Sequence, residues 1–192
     1  MMRGKNNSVK FTLERMTHDK EGLEIGVWKG RSTVRFAQIS KSVDAVDPWS
    51  LKPYREGCEY PEWQAFLDKY EPEVGSNHPL DYESYYEHVY NVVKRKAEKW
   101  GNINIYRMTS KEFFAQNKKT YDWAYVDGDH SYRGCKFDLR NTWSIIRPGG
   151  VMFGDDYGDS KPGVTQAVNE FAGEFGVNVV TYGVNQFMVE KK

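Results

Sequence analysis

Leu23-Glu24-Ile25-Gly26-Val27-Trp28-Lys29-Gly30-Arg31-Ser32 is the stretch that decides the fold. A short apolar run carries an acid at Glu24. Two glycines follow four positions apart, Gly26 and Gly30, and then comes Ser32, a helix-starting residue. Glycine lets a backbone turn sharply and come close to a ligand. A strand that ends in such a turn and opens a helix builds a site outside the carboxyl end of a sheet. The spacing is E-x-G-x-x-x-G, not the G-x-G-x-x-G that seats a dinucleotide. A carboxylate at Glu24 repels phosphate and suits a cationic or amine-bearing ligand. Alone, the pattern is also that of an ordinary strand–helix turn.

Three further runs repeat the theme. Val43-Asp44-Ala45-Val46-Asp47 reads as a second strand ending in an acid, 23 positions after Glu24. That is the distance at which a carboxylate on the next strand reaches both ribose hydroxyls of a nucleoside. Tyr121 to His130 ends in Asp127-Gly128-Asp129-His130, and Val151 to Tyr157 ends in Gly154-Asp155-Asp156-Tyr157. Four strands ending in acids crowd one sheet edge with negative charge. Core packing gives no reason for this, so a ligand or a divalent cation is expected to offset it. S-adenosylmethionine (SAM), with a sulfonium and an ammonium, is a ligand of the right charge.

Between these runs the chain alternates. Helical spacing over Ser32–Ile39, Tyr82–Trp100, Lys111–Asn117, Tyr132–Ile146 and Val164–Phe175 separates strands at Leu23–Gly26, Val43–Asp47, Ile103–Tyr106, Trp123–Asp127 and Val151–Gly154. Pro148 and two glycines stop the fourth helix. Val177–Thr181 and Gln186–Glu190 read as a closing hairpin. Such alternation predicts an α/β fold, a mostly parallel sheet with helices on both faces.

The Glu24–Ser32 motif, Val126-Asp127-Gly128-Asp129-His130-Ser131-Tyr132, Arg147-Pro148-Gly149-Gly150 and Gly154-Asp155-Asp156-Tyr157 together resemble class I SAM-dependent methyltransferases, in particular the branch of macrocin-type sugar O-methyltransferases. The likeness runs from Gly22 to the C-terminus, apart from the stretch after Trp49. It implies a Rossmann-like, doubly wound sheet of seven strands with the last reversed, and a metal-assisted transfer of methyl to a hydroxyl of a sugar or small polar metabolite. SAM would lie against Glu24, Gly26, Gly30, Ser32, Asp47, Trp49, Thr109, Ser110 and Asp127. Relatives such as catechol O-methyltransferase imply Mg²⁺ or another divalent cation on Asp127, Asp155 and Asp156.

Several of these residues have a plainer reading. Ser32 suits a helix N-cap, as do Thr109 or Ser110 before Lys111 and Asp129 before Tyr132. Trp49 suits a buried position as well as a place beside adenine. Gly30 suits a tight turn, and Glu24 a solvated strand end. His130 and Asp127 are the candidate catalytic pair. His130 is a general base because its side chain titrates near neutrality, or else it orients Asp155 or Asp156. Asp138 lies mid-helix and reads as a salt-bridge or solvated residue. His18, His78 and His88 have no companions at metal-ligand spacing.

At 192 residues the chain suits one domain with a sizeable core. Its 27 basic and 27 acidic residues balance, which implies no attraction to nucleic acid or membrane surfaces. No apolar run reaches membrane-spanning length, and Met1-Met2-Arg3-Gly4-Lys5-Asn6 is not a hydrophobic leader. Cys58 and Cys135 are expected to be free thiols in a reducing, cytoplasmic setting. The long segment 48–80 holds Pro48, Pro53, Pro61 and Pro72 among many aromatics. It reads as a lid over a small-molecule or glycan acceptor, or else as an interface in a homo-oligomer or a mobile arm. A dinucleotide-dependent oxidoreductase and a non-catalytic SAM-fold binding protein are the alternatives.

Overall fold

The computed structural model describes residues 16–51, 71–75, 78–158, 161–183 and 185–192. Most of the expected lid, including Cys58, lies outside them. Strands β1 (Glu21–Ile25), β2 (Ser42–Asp47), β3 (Ile103–Arg107), β4 (Tyr121–Val126), β5 (Ile146–Gly154), β6 (Val180–Tyr182) and β7 (Gln186–Glu190) form one sheet. Its order is β3-β2-β1-β4-β5-β7-β6. β1 pairs in parallel with β2 and β4, and β7 runs antiparallel to both β5 and β6. This is the seven-stranded, doubly wound sheet with a reversed last strand. The order turns back between β1 and β4, the switch point outside which such sheets bind ligands.

Helices α1 (Arg31–Ala37), α2 (Pro79–Trp100), α3 (Ser110–Gln116), α4 (Tyr132–Ile145) and α5 (Pro162–Phe175) complete the order. Strand alternation splits the core between the two faces. Val43, Ala45, Trp123, Tyr125, Val151 and Phe153 join Phe36 of α1 and Val89, Val93 and Ala97 of α2. On the other face Leu23, Ile25, Val46 and Ala124 pack on Phe113 of α3, and Val126 and Met152 pack on Leu139, Trp143, Val168 and Phe171 of α4 and α5. Each large side chain buried this way contributes roughly 1.5–3 kcal/mol, which fixes the register of the strand tips.

Two boundaries move. β5 begins at Ile146, so the Pro148-Gly149-Gly150 run lies inside the strand, where the β4 pairing shifts register between Tyr121 and Trp123. β6 shortens to Val180–Tyr182, because Val177 and Val179 pack against the α4–α5 cluster. No described helix is long and apolar enough to cross a membrane.

Candidate functional site

The turns after β1, β2, β4 and β5 enclose a cleft of about 910 Å³ whose wall includes Gly26, Trp28, Asp47, Ser110, His130 and Asp156. Gly26 has φ 87°, and a Cβ there would stand 1.9 Å from the Asp127 carbonyl oxygen. Only glycine lets the β1 and β4 turns meet. Gly30, at φ 64°, is the N-cap of α1 and lies behind the turn, where a Cβ would meet Val93. The cap is therefore Gly30 and not Ser32, which stands one residue into the helix and faces the cleft. Thr109 caps α3 through a reciprocal pair with Glu112, and Ser131 caps α4 in place of Asp129. Thr109 and Ser110 both line the cleft.

Asp47 is committed to the loop beside it. Its Oδ2 accepts from the Val27 and Trp28 amides at 3.0 and 2.9 Å, and Oδ1 accepts from the Trp49 amide at 2.7 Å. Three of about four acceptor positions on a carboxylate are thus filled. Burial raises its pKa against the pull of these amides. Trp28 and Trp49 hold φ of 45° and 41°, a left-handed conformation rare for bulky residues. Trp49 is fully buried, and its Nε1 donates to the Trp28 carbonyl at 2.8 Å. It anchors the loop from below and does not form the cleft wall. The indole is too large and apolar to stay at the surface once α2 offers Tyr90 at 5.3 Å.

Glu24 is fully buried under the same loop, not solvated. Neither carboxylate oxygen meets hydrogen-bond geometry with a partner, although the Ser32 and Thr33 hydroxyls stand close by. Burial pushes its pKa up to about 8, the Ser32 and Thr33 hydroxyls offset part of the shift, and Asp127 and Asp47 add to it.

Asp127, His130 and Asp156 each offer a ligand atom, and these atoms lie within 4.8 Å of one another. His130 Nε2 is 3.2 Å from both Asp127 Oδ1 and Asp156 Oδ2. Lys161 Nζ stands 3.3 Å from His130 Nδ1. An ammonium can only donate, so this contact fits the tautomer in which Nδ1 accepts and Nε2 carries the proton toward the two carboxylates. In this state His130 orients the acids and has no free lone pair facing them. Burial raises Asp127, His130 opposes the shift, and Asp155 and Asp156 reinforce it. The expected metal trio changes in one member. Asp155 turns to accept from the Asp156 amide at 2.9 Å and the Tyr125 hydroxyl at 3.3 Å, while φ of 62° at Asp156 swings that side chain toward His130.

Residues 23–157 match the family model of a methyltransferase domain. The chain belongs to this family of SAM-dependent methyltransferases. No curated protein matches it in sequence. The fold is shared with SMU.1697c from Streptococcus mutans, solved with SAH, at 12% identity, TM-score 0.64 and full coverage of both chains. The O-methyltransferase NovP is similar at 14% identity and TM-score 0.59, over 96% of this chain and 79% of that one. Aeropyrum pernix fibrillarin with natively bound SAM is similar at 11% identity and TM-score 0.58, over 91% and 67%.

The cleft also brings in residues that the sequence reading did not place there. Asp138 is 1% exposed and lines the cleft, so it is neither solvated nor paired with a cation among the described residues. A signal existed: it shares the buried stripe of α4 with Cys135, Leu139, Thr142 and Trp143. Lys161 carries no motif, and only the fold brings it to His130. Tyr85 and Tyr86 of α2, with Glu73 and Val74, form the far cleft wall, and Lys29 pairs with Glu73 there.

Proposed function

We propose that this methyltransferase moves the SAM methyl group to a hydroxyl of a sugar or other small polar metabolite, with a divalent cation assisting. The observation that carries this reading is the convergence of Asp127, His130 and Asp156 at the cleft wall. Asp127 and Asp156 would hold the cation, with His130 joining them once its proton moves to Nδ1 and Lys161 withdraws. Bound there, a dication supplies Lewis acidity to the acceptor hydroxyl. Carboxylates suit Mg²⁺, and an imidazole in the set suits Mn²⁺ and other transition ions equally.

The chain's own residues do the rest. Gly26 allows the backbone to approach the methionine end of SAM, beside Ser32. Asp47 and Asp127 surround the β1 turn with negative charge that favours the sulfonium and ammonium, and such a cation draws buried Glu24 toward its ionised form. Asp47 keeps one acceptor position for a ribose hydroxyl. Asp127, oriented by His130, would position the acceptor hydroxyl, whose proton leaves to water once the cation has raised its acidity. In-line displacement depends on this positioning. The cleft volume suits cofactor and small acceptor together. Cytoplasmic placement accords with Cys135, a buried free thiol whose pKa is pushed up to about 12.

The test is mass spectrometry of a metabolite and glycan library incubated with isotope-labelled SAM, in chelator and then with Mg²⁺ or Mn²⁺. A labelled hydroxyl product that appears only with the ion supports the reading. Label on nitrogen or carbon, or full activity in chelator, contradicts it.

A further inference from the structure

Lys29 and Arg31 flank Gly30 in the turn after β1, and both line the cleft. Gly26, at the start of this turn, lies against the Asp127 carbonyl, whereas Gly30, at its end, lies against Val93 of α2. The turn therefore runs from the acids after β4 to α2. Four residues span at most about 14 Å extended, and less in a turn, so one small acceptor reaches both ends.

At the α2 end cations outnumber acids. Lys29 bonds to Glu73 and holds its carboxyl below the usual range against burial, with Arg31 and Tyr85 adding to the pull. Arg31 itself makes no ion pair among the described residues. Lys96 adds a third cation behind them, its Nζ donating to the Lys29 carbonyl at 2.7 Å, and burial and the charge of Arg31 both lower its pKa. The Tyr85 hydroxyl oxygen is buried and meets hydrogen-bond geometry with no partner, although the Trp28 indole, Lys29 and Glu73 stand close by. Burial raises its pKa, so it keeps a proton to donate. Trp28 is 42% exposed on a left-handed backbone, and strain of this kind gathers at ligand clamps.

We propose that this corner binds an oxyanion carried by the acceptor, a carboxylate or phosphate on a sugar ring, with Arg31 pairing it, Tyr85 donating a hydrogen bond and Trp28 lying against the ring. The proposal deepens the hydroxyl-acceptor reading above and rests on it. A guanidinium meets a carboxylate or a phosphate with two parallel N–H bonds. Glu73 holds the place in the unliganded protein. Its pair with Lys29 is partly exposed and weak, so an incoming oxyanion displaces it.

Ligand-observed NMR titration of glucose 1-phosphate, glucuronic acid and glucose into the protein loaded with S-adenosylhomocysteine (SAH) tests this, in chelator so that no cation draws the anion. Calorimetry of SAH and thermal melts accompany each variant. At least one acidic sugar should bind about tenfold tighter than glucose, since a hydrogen bond to a charged group is worth that much. Arg31→Met should remove the preference, and Glu73→Gln should raise it by about threefold. SAH affinity should change by less than about twofold in both. A preference for the phosphate alone assigns a phosphorylated acceptor, and one for glucuronic acid alone a uronic acid. No difference between glucose and the acids, or a preference that survives Arg31→Met, overturns the proposal. So does a loss of SAH affinity in Arg31→Met, because the guanidinium then serves the methionine carboxylate. A wild type that binds no SAH overturns the SAM reading instead.

Discussion

The two ends of the sheet treat their acids in opposite ways. At the amino edge Glu21, Asp122 and Asp44 each have a cation of the chain's own. Arg147 donates to Asp122 at 2.8 Å and to Glu21 at 2.9 Å, and Lys41 adds a bond to Glu21 at 3.2 Å. Buried Asp44 accepts from Lys119, Tyr121 and Asn104. At the carboxyl rim, Glu24 and Asp138 hold unpartnered oxygens. Asp47 leans on loop amides, and Asp127 and Asp156 both face the Nε2 of one histidine. The amino edge is complete as folded. In the proposed reading a positively charged or proton-donating ligand completes the rim, and its left-handed residues Trp28, Trp49 and Asp156 cluster there too.

The largest effect that would break this contrast is on turnover. Asp156→Asn, or a chelator, should lower methyl transfer by more than about a hundredfold, since a cation at a developing oxyanion contributes several kcal/mol. SAM affinity should change far less. Steady-state kinetics and calorimetry on the same protein separate the two.

Next comes pH. Glu24, raised to about 8 in the fold from an ordinary value of 4.5, is protonated in both states in acid. Between 4.5 and 8 the unfolded chain ionises first, so stability from this site is lost as pH rises. Glu24→Gln should therefore stabilise the unliganded protein at pH 8 by roughly 2–4 kcal/mol and by little at pH 5. The amino edge has the reverse slope. Lys41 and Arg147 hold Glu21 below its usual range, and Arg147 and the Glu21 amide do so for Asp122 against its burial. That stability is present above the unfolded pKa and fades as acid protonates these groups. Urea melts across pH read both slopes, and equal slopes in Glu24→Gln and wild type would remove Glu24 from the account.

Smaller still, Arg147→Ala should cost about 1 kcal/mol, because the guanidinium is 38% exposed and its pairs are screened. Lys29→Ala should change stability by no more than about 0.5 kcal/mol, its partner Glu73 being 43% exposed. A large loss there would mean that the far cleft wall is structural.

The sheet was legible because its signals are local. Strand runs end in acids, and Gly26 and Gly30 punctuate the first turn. The site was legible only as a roster of acids. Asp47's hold on the Val27 and Trp28 amides depends on a left-handed Trp28 that no propensity announces. Lys161 reaches His130 across 31 residues of chain. Asp138 looked like a solvated helix residue because its charge masked its place on the buried stripe of α4. Distance along the chain hid the first two, and chemistry at odds with burial hid the third.

The most direct test of the rim as the SAM site is calorimetric titration of SAM into the wild type and into a folded Asp47→Ala variant. The account predicts one SAM per chain, with affinity weakened more than about tenfold in the variant, since a hydrogen bond to a charged group contributes roughly 1.5–3 kcal/mol. Unchanged affinity in Asp47→Ala would contradict it.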